Sequence, residues 1–129
     1  MATWDDVRHI ALDLPEMTER TTEGVMQWRV KEKMVAWERP LRRADFAALG
    51  HDAPDGAILA IWVPDLGVKE ALLADDPGVY FTTPHFDGYR AILIRLEEIP
   101  VPELEELIVE AWLDRAPRRL VNEYLKATE

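Results

Sequence analysis

Two titratable side chains share one short polar loop: His85 and Asp87, in Thr82-Thr83-Pro84-His85-Phe86-Asp87-Gly88-Tyr89, are the pair best suited to proton transfer. An imidazole beside a carboxylate is a common acid–base pair, with threonine hydroxyls nearby. The spacing argues against catalysis. Residues two apart on a turn more often close that turn, the Asp side chain accepting from backbone N–H groups, and no second constellation converges on this one. The chain has no Ser and no Cys, so nucleophilic catalysis by either residue type is excluded. His9, His51 and His85 share no ligand spacing, and the six glycines form neither a GxxxxGK nor a GxGxxG phosphate loop. These features predict a non-enzymatic chain with no catalytic residues, no metal and no cofactor.

Stacking and charge offer a different chemistry. Trp28, Trp37, Trp62, Phe86 and Tyr89 could form a platform for bases or for an apolar ligand. Trp28 is in phase with Met26 and Val30, and Trp62 lies inside an apolar run, which puts both in a core. Trp4 and Trp112 fall on helical apolar stripes. Periodicity leaves Trp37, Phe86 and Tyr89 unassigned.

Arginines gather in three places: Arg39, Arg42 and Arg43; Arg90 with Arg95; and Arg115, Arg118 and Arg119. Such clusters suit phosphate contacts. Against them stands a formal net charge of −10, which repels polyanions at long range. Glu97, Glu98, Glu103, Glu105, Glu106 and Glu110, with no Lys or Arg between, read as one solvated helix face. The arginines at 118 and 119 equally suit complementing helix ends or that acidic helix. The candidate binding residues are Arg42, Arg43, His85, Phe86, Tyr89, Arg90, Arg118 and Arg119.

The elements that must position these residues follow from hydrophobic period. Thr3 is a good N-cap with Asp5 and Asp6 in the first turn, and Trp4, Val7, Ile10, Ala11 and Leu14 make an apolar stripe, so a helix runs to about Leu14 and stops at Pro15. From Val25 to Val30 the period is two, Lys31-Glu32-Lys33 is the turn, and Met34 to Trp37 returns as a strand. The continuous apolar run Ala57 to Val63 reads as a central strand. A short helix at about Val68 to Ala74 precedes Asp76-Pro77-Gly78. Strands near Val79 to Thr82 and Tyr89 to Leu96 flank the His85 loop. From Pro102 the helical pattern resumes with Leu104, Leu107, Ile108, Ala111 and Trp112 on one face, Ala116-Pro117 breaks it, and Arg118 to Lys126 is a last helix. The order α-β-β-β-α-β-β-α-α predicts an α+β fold of two layers: a five-stranded antiparallel sheet with helices on one face, and Ile58, Ile61, Trp62, Ile92 and Ile94 largely buried. What lies on the other face is the functional question.

At 129 residues, 48% hydrophobic and 31% charged, residues 1–129 are expected to make one soluble domain. No apolar run approaches the roughly 20 residues that span a bilayer, and the opening Met-Ala-Thr-Trp-Asp-Asp lacks the pattern of a leader. The expectation is a cytoplasmic protein with no membrane partner.

Taken together, the opening helix ending Leu-Asp-Leu-Pro, Trp28-Arg29-Val30 before Lys33-Met34, the Phe81 to Tyr89 loop, Ile92-Leu93-Ile94-Arg95-Leu96, Ala111-Trp112 and Ala116-Pro117-Arg118-Arg119-Leu120-Val121 resemble the MmcQ/YjbR family. The resemblance implies a small fold similar to frataxin-like or secretion-chaperone-like domains and a double-wing DNA-binding role, with no catalytic residues to carry over. Where many relatives carry Gly before the Lys of the first hairpin, this chain has Glu32. The expectation is a DNA-binding domain of weak affinity, the alternatives being a protein- or peptide-interaction module and a small-ligand binder.

Overall fold

The computed structural model describes residues 2–54 and 56–128. Helix α1 spans Trp4–Leu12 and begins with a reciprocal cap: the Asp6 N–H donates to the Thr3 hydroxyl at 3.3 Å, and the Thr3 N–H donates to the Asp6 carboxylate at 2.9 Å. Strands β1 (Met17–Thr22), β2 (Val25–Val30) and β3 (Lys33–Glu38) form a meander, and α2 (Arg43–Leu49) follows. Then come β4 (Ile58–Trp62), α3 (Leu66–Asp75), β5 (Tyr80–Phe81), β6 (Ala91–Arg95), α4 (Val101–Arg115) and α5 (Arg118–Ala127). All strand pairs are antiparallel, in the order β1-β2-β3-β4-β6-β5.

The fold class is α+β, as expected, but the sheet has six strands and not five. The extra strand is β1, Met-Thr-Glu-Arg-Thr-Thr, an edge strand in which only Met17 is buried, so no apolar alternation marks it. The two hairpin turns on either side of β2 use left-handed backbone. Glu23 and Gly24 have φ of 52° and 83°, and Lys31 and Glu32 have φ of 48° and 69°. Two consecutive positive-φ residues are the geometry of a tight hairpin, which tolerates Gly or Asn at little cost and other side chains at roughly 1 kcal/mol each. Glu32 occupies such a position, and its carboxylate lies 3.4 Å from Arg20, an exposed pair of small value.

A second correction concerns the helices. Those at α1, α3, α4 and α5 cover one face, where Trp28, Val30, Leu59, Ile61, Ile92 and Ile94 pack on Val7, Leu104, Ile108, Trp112 and Leu120. Helix α2, absent from the sequence-based reading, does not join them. The leucines that flank its turns, Leu41 and Leu49, pack against a smaller cluster of Ile58, Ala60, Phe81, Phe86, Ala91 and Leu93 on the opposite face. That opposite face also receives Trp62. Of the five residues expected to be buried, Ile58, Ile61, Ile92 and Ile94 are, Ile58 within the smaller cluster, and Trp62 is only half-buried. Successive strand side chains alternate, so Ile61 facing the helices sends Trp62 the other way. Among the described residues no helix is long and apolar enough to cross a membrane.

Candidate functional site: an aromatic cavity on the second face

Three strands and one loop converge on the face away from the main helix layer. Register places Trp37 beside Ala60 and Trp62 beside Ala91, so the two indoles stand over small neighbours, their centroids 6.3 Å apart. Phe86 lies 6.4 Å from Trp37 and 6.4 Å from Tyr89. Trp37, Trp62, Phe86, Tyr89 and Ala91 line a cavity of about 260 Å³ whose walls are apolar. Trp37 and Phe86 also border a more polar groove of about 420 Å³, which reaches Gln27, Met34, Arg42 and His85. Tyr89 is the open side of the cavity, 54% exposed.

The loop that presents Phe86 and Tyr89 is held from behind by a buried lysine. Pro84–Phe86 form one short 3-10 turn, Tyr89 N–H donates to the Phe86 carbonyl at 3.0 Å, and Gly88 supplies the φ of 80°. From α3, the Lys69 ammonium donates to the Phe86 carbonyl at 2.7 Å and to the Tyr89 carbonyl at 2.9 Å. Burial pushes this ammonium below the ordinary lysine value, partly opposed by the Asp87 carboxylate. Sequence reading missed Lys69: it is a single cation in a helix whose packed residues are Val68, Leu72 and Leu73, and no motif sets it apart.

On the other side of Phe86 a buried ion pair fixes the entry to α2. Arg39 and Asp45 meet at 3.0 Å with side chains only 6% and 4% exposed. The Arg39 guanidinium lies 5.3 Å from the Phe86 ring centroid. Burial alone would raise the Asp45 carboxyl. The Arg42 backbone N–H, donating at 2.8 Å, and the Arg39 guanidinium at 3.0 Å outweigh it and hold Asp45 below the usual carboxylate range.

Two further arginines stack on Trp62, Arg115 with its guanidinium carbon 4.5 Å from the ring centroid and Arg90 at 5.9 Å. Each is tethered to backbone: Arg115 Nε donates to the Met34 carbonyl at 3.1 Å and Arg90 Nη1 to the Pro64 carbonyl at 2.7 Å.

Of the expected binding residues, Arg42, His85, Phe86 and Tyr89 line the groove or the cavity, and Arg90 lies outside both linings, against the Trp62 ring. Arg43 is exposed at the start of α2 and lines neither cavity nor groove. Arg118 and Arg119 sit on α5 in the helix layer, where Arg119 pairs with Glu16 at 3.7 Å and Glu123 at 3.5 Å. His85 is exposed with its ring edge-on to Phe86 at 4.9 Å, and no hydrogen bond joins it to Asp87. The loop is closed by main-chain bonds, Phe86 N–H to Thr83 and Asp87 N–H to Pro84, and by Lys69, a role the sequence had suggested for the Asp87 carboxylate. Among the described residues no group of three or more His, Asp or Glu assembles as a metal would require.

Comparison with known proteins agrees with the expected resemblance. Residues 12–114 match the YjbR family model. An uncharacterised protein of Mycobacterium tuberculosis strain H37Rv, Rv2570, is 56% identical over 128 residues, covering 97% of both chains. A Mycobacterium bovis counterpart, Mb2600, matches to the same extent. The crystal structure of Deinococcus radiodurans protein DR2400, a DUF419 domain, superposes with a TM-score of 0.66 at 22% identity, over 88% of this chain and 78% of that one, a likeness of fold. With a matching model over most of its length and relatives sharing more than half its residues, the chain belongs to the YjbR family.

Proposed function

We propose that this YjbR-family chain is a non-enzymatic binding domain that recognises its partner through the second face of the sheet, with the aromatic cavity accepting a flat apolar group. The observation that carries the reading is the cavity itself: Trp37, Trp62, Phe86 and Tyr89 hold their rings around about 260 Å³ of apolar space. Rings left at a surface in a concave arrangement offer dispersion and quadrupole contacts to a flat group, and the buried Lys69 and Arg39 anchors keep two of the walls in place. Pocket walls on rigid strands and a clamped loop suit recognition more than chemistry.

Nucleic acid is the second reading, favoured by Arg42 and Arg90 standing on the same face as the exposed Tyr89 ring. A net charge of −10 works against it, and Arg118 and Arg119 belong to the helix layer. Duplex affinity is accordingly expected near the non-specific range, a Kd on the order of 10⁻⁵ M or weaker at physiological salt.

One set of samples separates the two. With the neutral probe 3-methylindole, saturation-transfer NMR is expected to show binding that Tyr89→Ala weakens about threefold or more; Tyr89 is exposed, so the variant keeps its fold. Absence of probe binding would sink the reading. In parallel, anisotropy of a labelled random duplex is expected to show only weak, salt-sensitive association. Tight duplex binding that is lost in the Arg42→Ala, Arg43→Ala pair but survives Tyr89→Ala would assign the domain to nucleic acid instead.

A further inference from the structure

Positive charge is concentrated beside the aromatic cavity of this acidic protein. Trp62 lines the cavity and also carries two guanidinium groups, Arg115 at 4.5 Å and Arg90 at 5.9 Å from its ring centroid. Like charges gathered on one ring repel each other unless a carboxylate neutralises them. Among the described residues Asp114 is the carboxylate that approaches, 3.7 Å from Arg90. Two cations thus share one anion.

Their hydrogen bonds leave capacity unused. The bond from Arg115 Nε to the Met34 carbonyl fixes its guanidinium plane, while its terminal N–H groups make no hydrogen bond within the described residues. Arg115 is half-buried, and burial holds its guanidinium below the ordinary arginine value, Asp114 opposing and Arg90 adding to the effect. A guanidinium held in place with free donors is a carboxylate receptor, since its fork matches two oxygens.

The size and sign of the surroundings narrow the ligand. A cavity of about 260 Å³ is smaller than the roughly 300–1,000 Å³ of pockets for drug-sized molecules. A cationic ligand would meet the repulsion of Arg90 and Arg115, so the rings do not act as an ammonium cage. A polyanion would meet a protein of net charge −10. We propose that the cavity binds a free small aromatic monoanion, its planar fused ring among Trp37, Trp62, Phe86 and Tyr89 and its carboxylate on Arg115 with help from Arg90. This deepens, and rests on, the reading of the second face as the binding surface.

Three probes with one ring and different charge test it by isothermal titration: indole-3-acetate, 3-methylindole and tryptamine. The expected order is the anion at least about tenfold tighter than the neutral probe, the worth of one charge-assisted hydrogen bond, with the cation weakest. Arg115→Met should erase the advantage of the anion, so that indole-3-acetate and 3-methylindole bind this variant with equal affinity. Arg90→Met should remove part of the advantage. Equal affinity for all three probes, or a preference for tryptamine, overturns the monoanion while the cavity reading stands. Failure of all three to bind overturns both. An advantage that persists in both arginine variants, or a random duplex that displaces indole-3-acetate at lower concentration, also overturns the proposal.

Discussion

Replacing Arg39 with Met is expected to lower the unfolding free energy by about 3–5 kcal/mol, because it strands the Asp45 carboxylate in a buried site. The loss has three parts. The ion pair at 3.0 Å disappears, the cation over the Phe86 ring at 5.3 Å disappears, and the hydrogen bond from Arg39 to the Pro40 carbonyl goes with them. For a domain whose whole stability is roughly 5–15 kcal/mol, the melting temperature should fall on the order of 10 °C or more. The double variant Arg39→Met, Asp45→Asn should recover part of the loss. An amide still accepts from the Arg42 N–H but no longer buries an unpaired charge.

The pH dependence has a definite sign. Asp45 in the folded protein sits below its unfolded value, so its contribution is complete above the unfolded carboxylate pKa of about 3.9 and declines as pH falls toward the folded value. The gap between wild type and Arg39→Met should therefore be widest at neutral pH and narrow below about pH 4. Urea unfolding at pH 7 and pH 3 measures it; a gap that widens in acid would contradict this account.

The second large effect is local. Lys69→Met removes the donor shared by the Phe86 and Tyr89 carbonyls; the Phe86 carbonyl keeps the Tyr89 N–H, and the Tyr89 carbonyl, left without that donor, costs about 1–3 kcal/mol. Because these carbonyls belong to the loop that carries two walls of the cavity, the damage should concentrate there. Amide exchange at residues 84–89 should quicken by an order of magnitude or more while α4 keeps its protection. Binding of 3-methylindole should weaken about tenfold, far beyond what loss of one surface charge would do. Unchanged exchange in the loop together with unchanged binding would show that Lys69 does not position it.

How much of this was legible in the sequence differs by element. The helices α1, α4 and α5 were readable because each has one buried face and a polar remainder, the pattern that 3.6-residue periodicity marks. Strands β2, β4 and β6 were readable from alternation or from apolar runs. Strand β1 was not, since an edge strand buries one side chain and is held by main-chain pairing to β2 that no side-chain pattern encodes. Helix α2 was hidden too: within it only Asp45 is buried, so its amphipathic signal is absent.

The second face of the sheet was half legible. Phe86, Tyr89 and Arg90 stood out as ring and charge in one loop, and Trp37 was left open correctly. Trp62 was assigned to the core because an apolar run such as Ile58–Trp62 carries no alternation to say which residue faces which side. Arg115 was seen only as one of a cluster. Its partners, Trp62 and the Met34 carbonyl, lie far away in sequence, and a contact of that range is a property of the fold. Lys69 shows the same limit from the opposite direction, as a charge that local reading assigns to solvent and tertiary structure buries against two carbonyls.

The central claim, that the aromatic cavity on the second face is the binding surface, is tested most directly by a nitrogen-15 spectrum of the five tryptophan indole N–H groups during titration with 3-methylindole. Trp37 and Trp62 line the cavity, whereas Trp28 and Trp112 are fully buried in the helix-side core and Trp4 packs against Trp28 at 6.2 Å. The account predicts saturable shifts at Trp37 and Trp62 and stationary signals from Trp4, Trp28 and Trp112. Stationary signals from Trp37 and Trp62, or shifts confined to the other three, would contradict it.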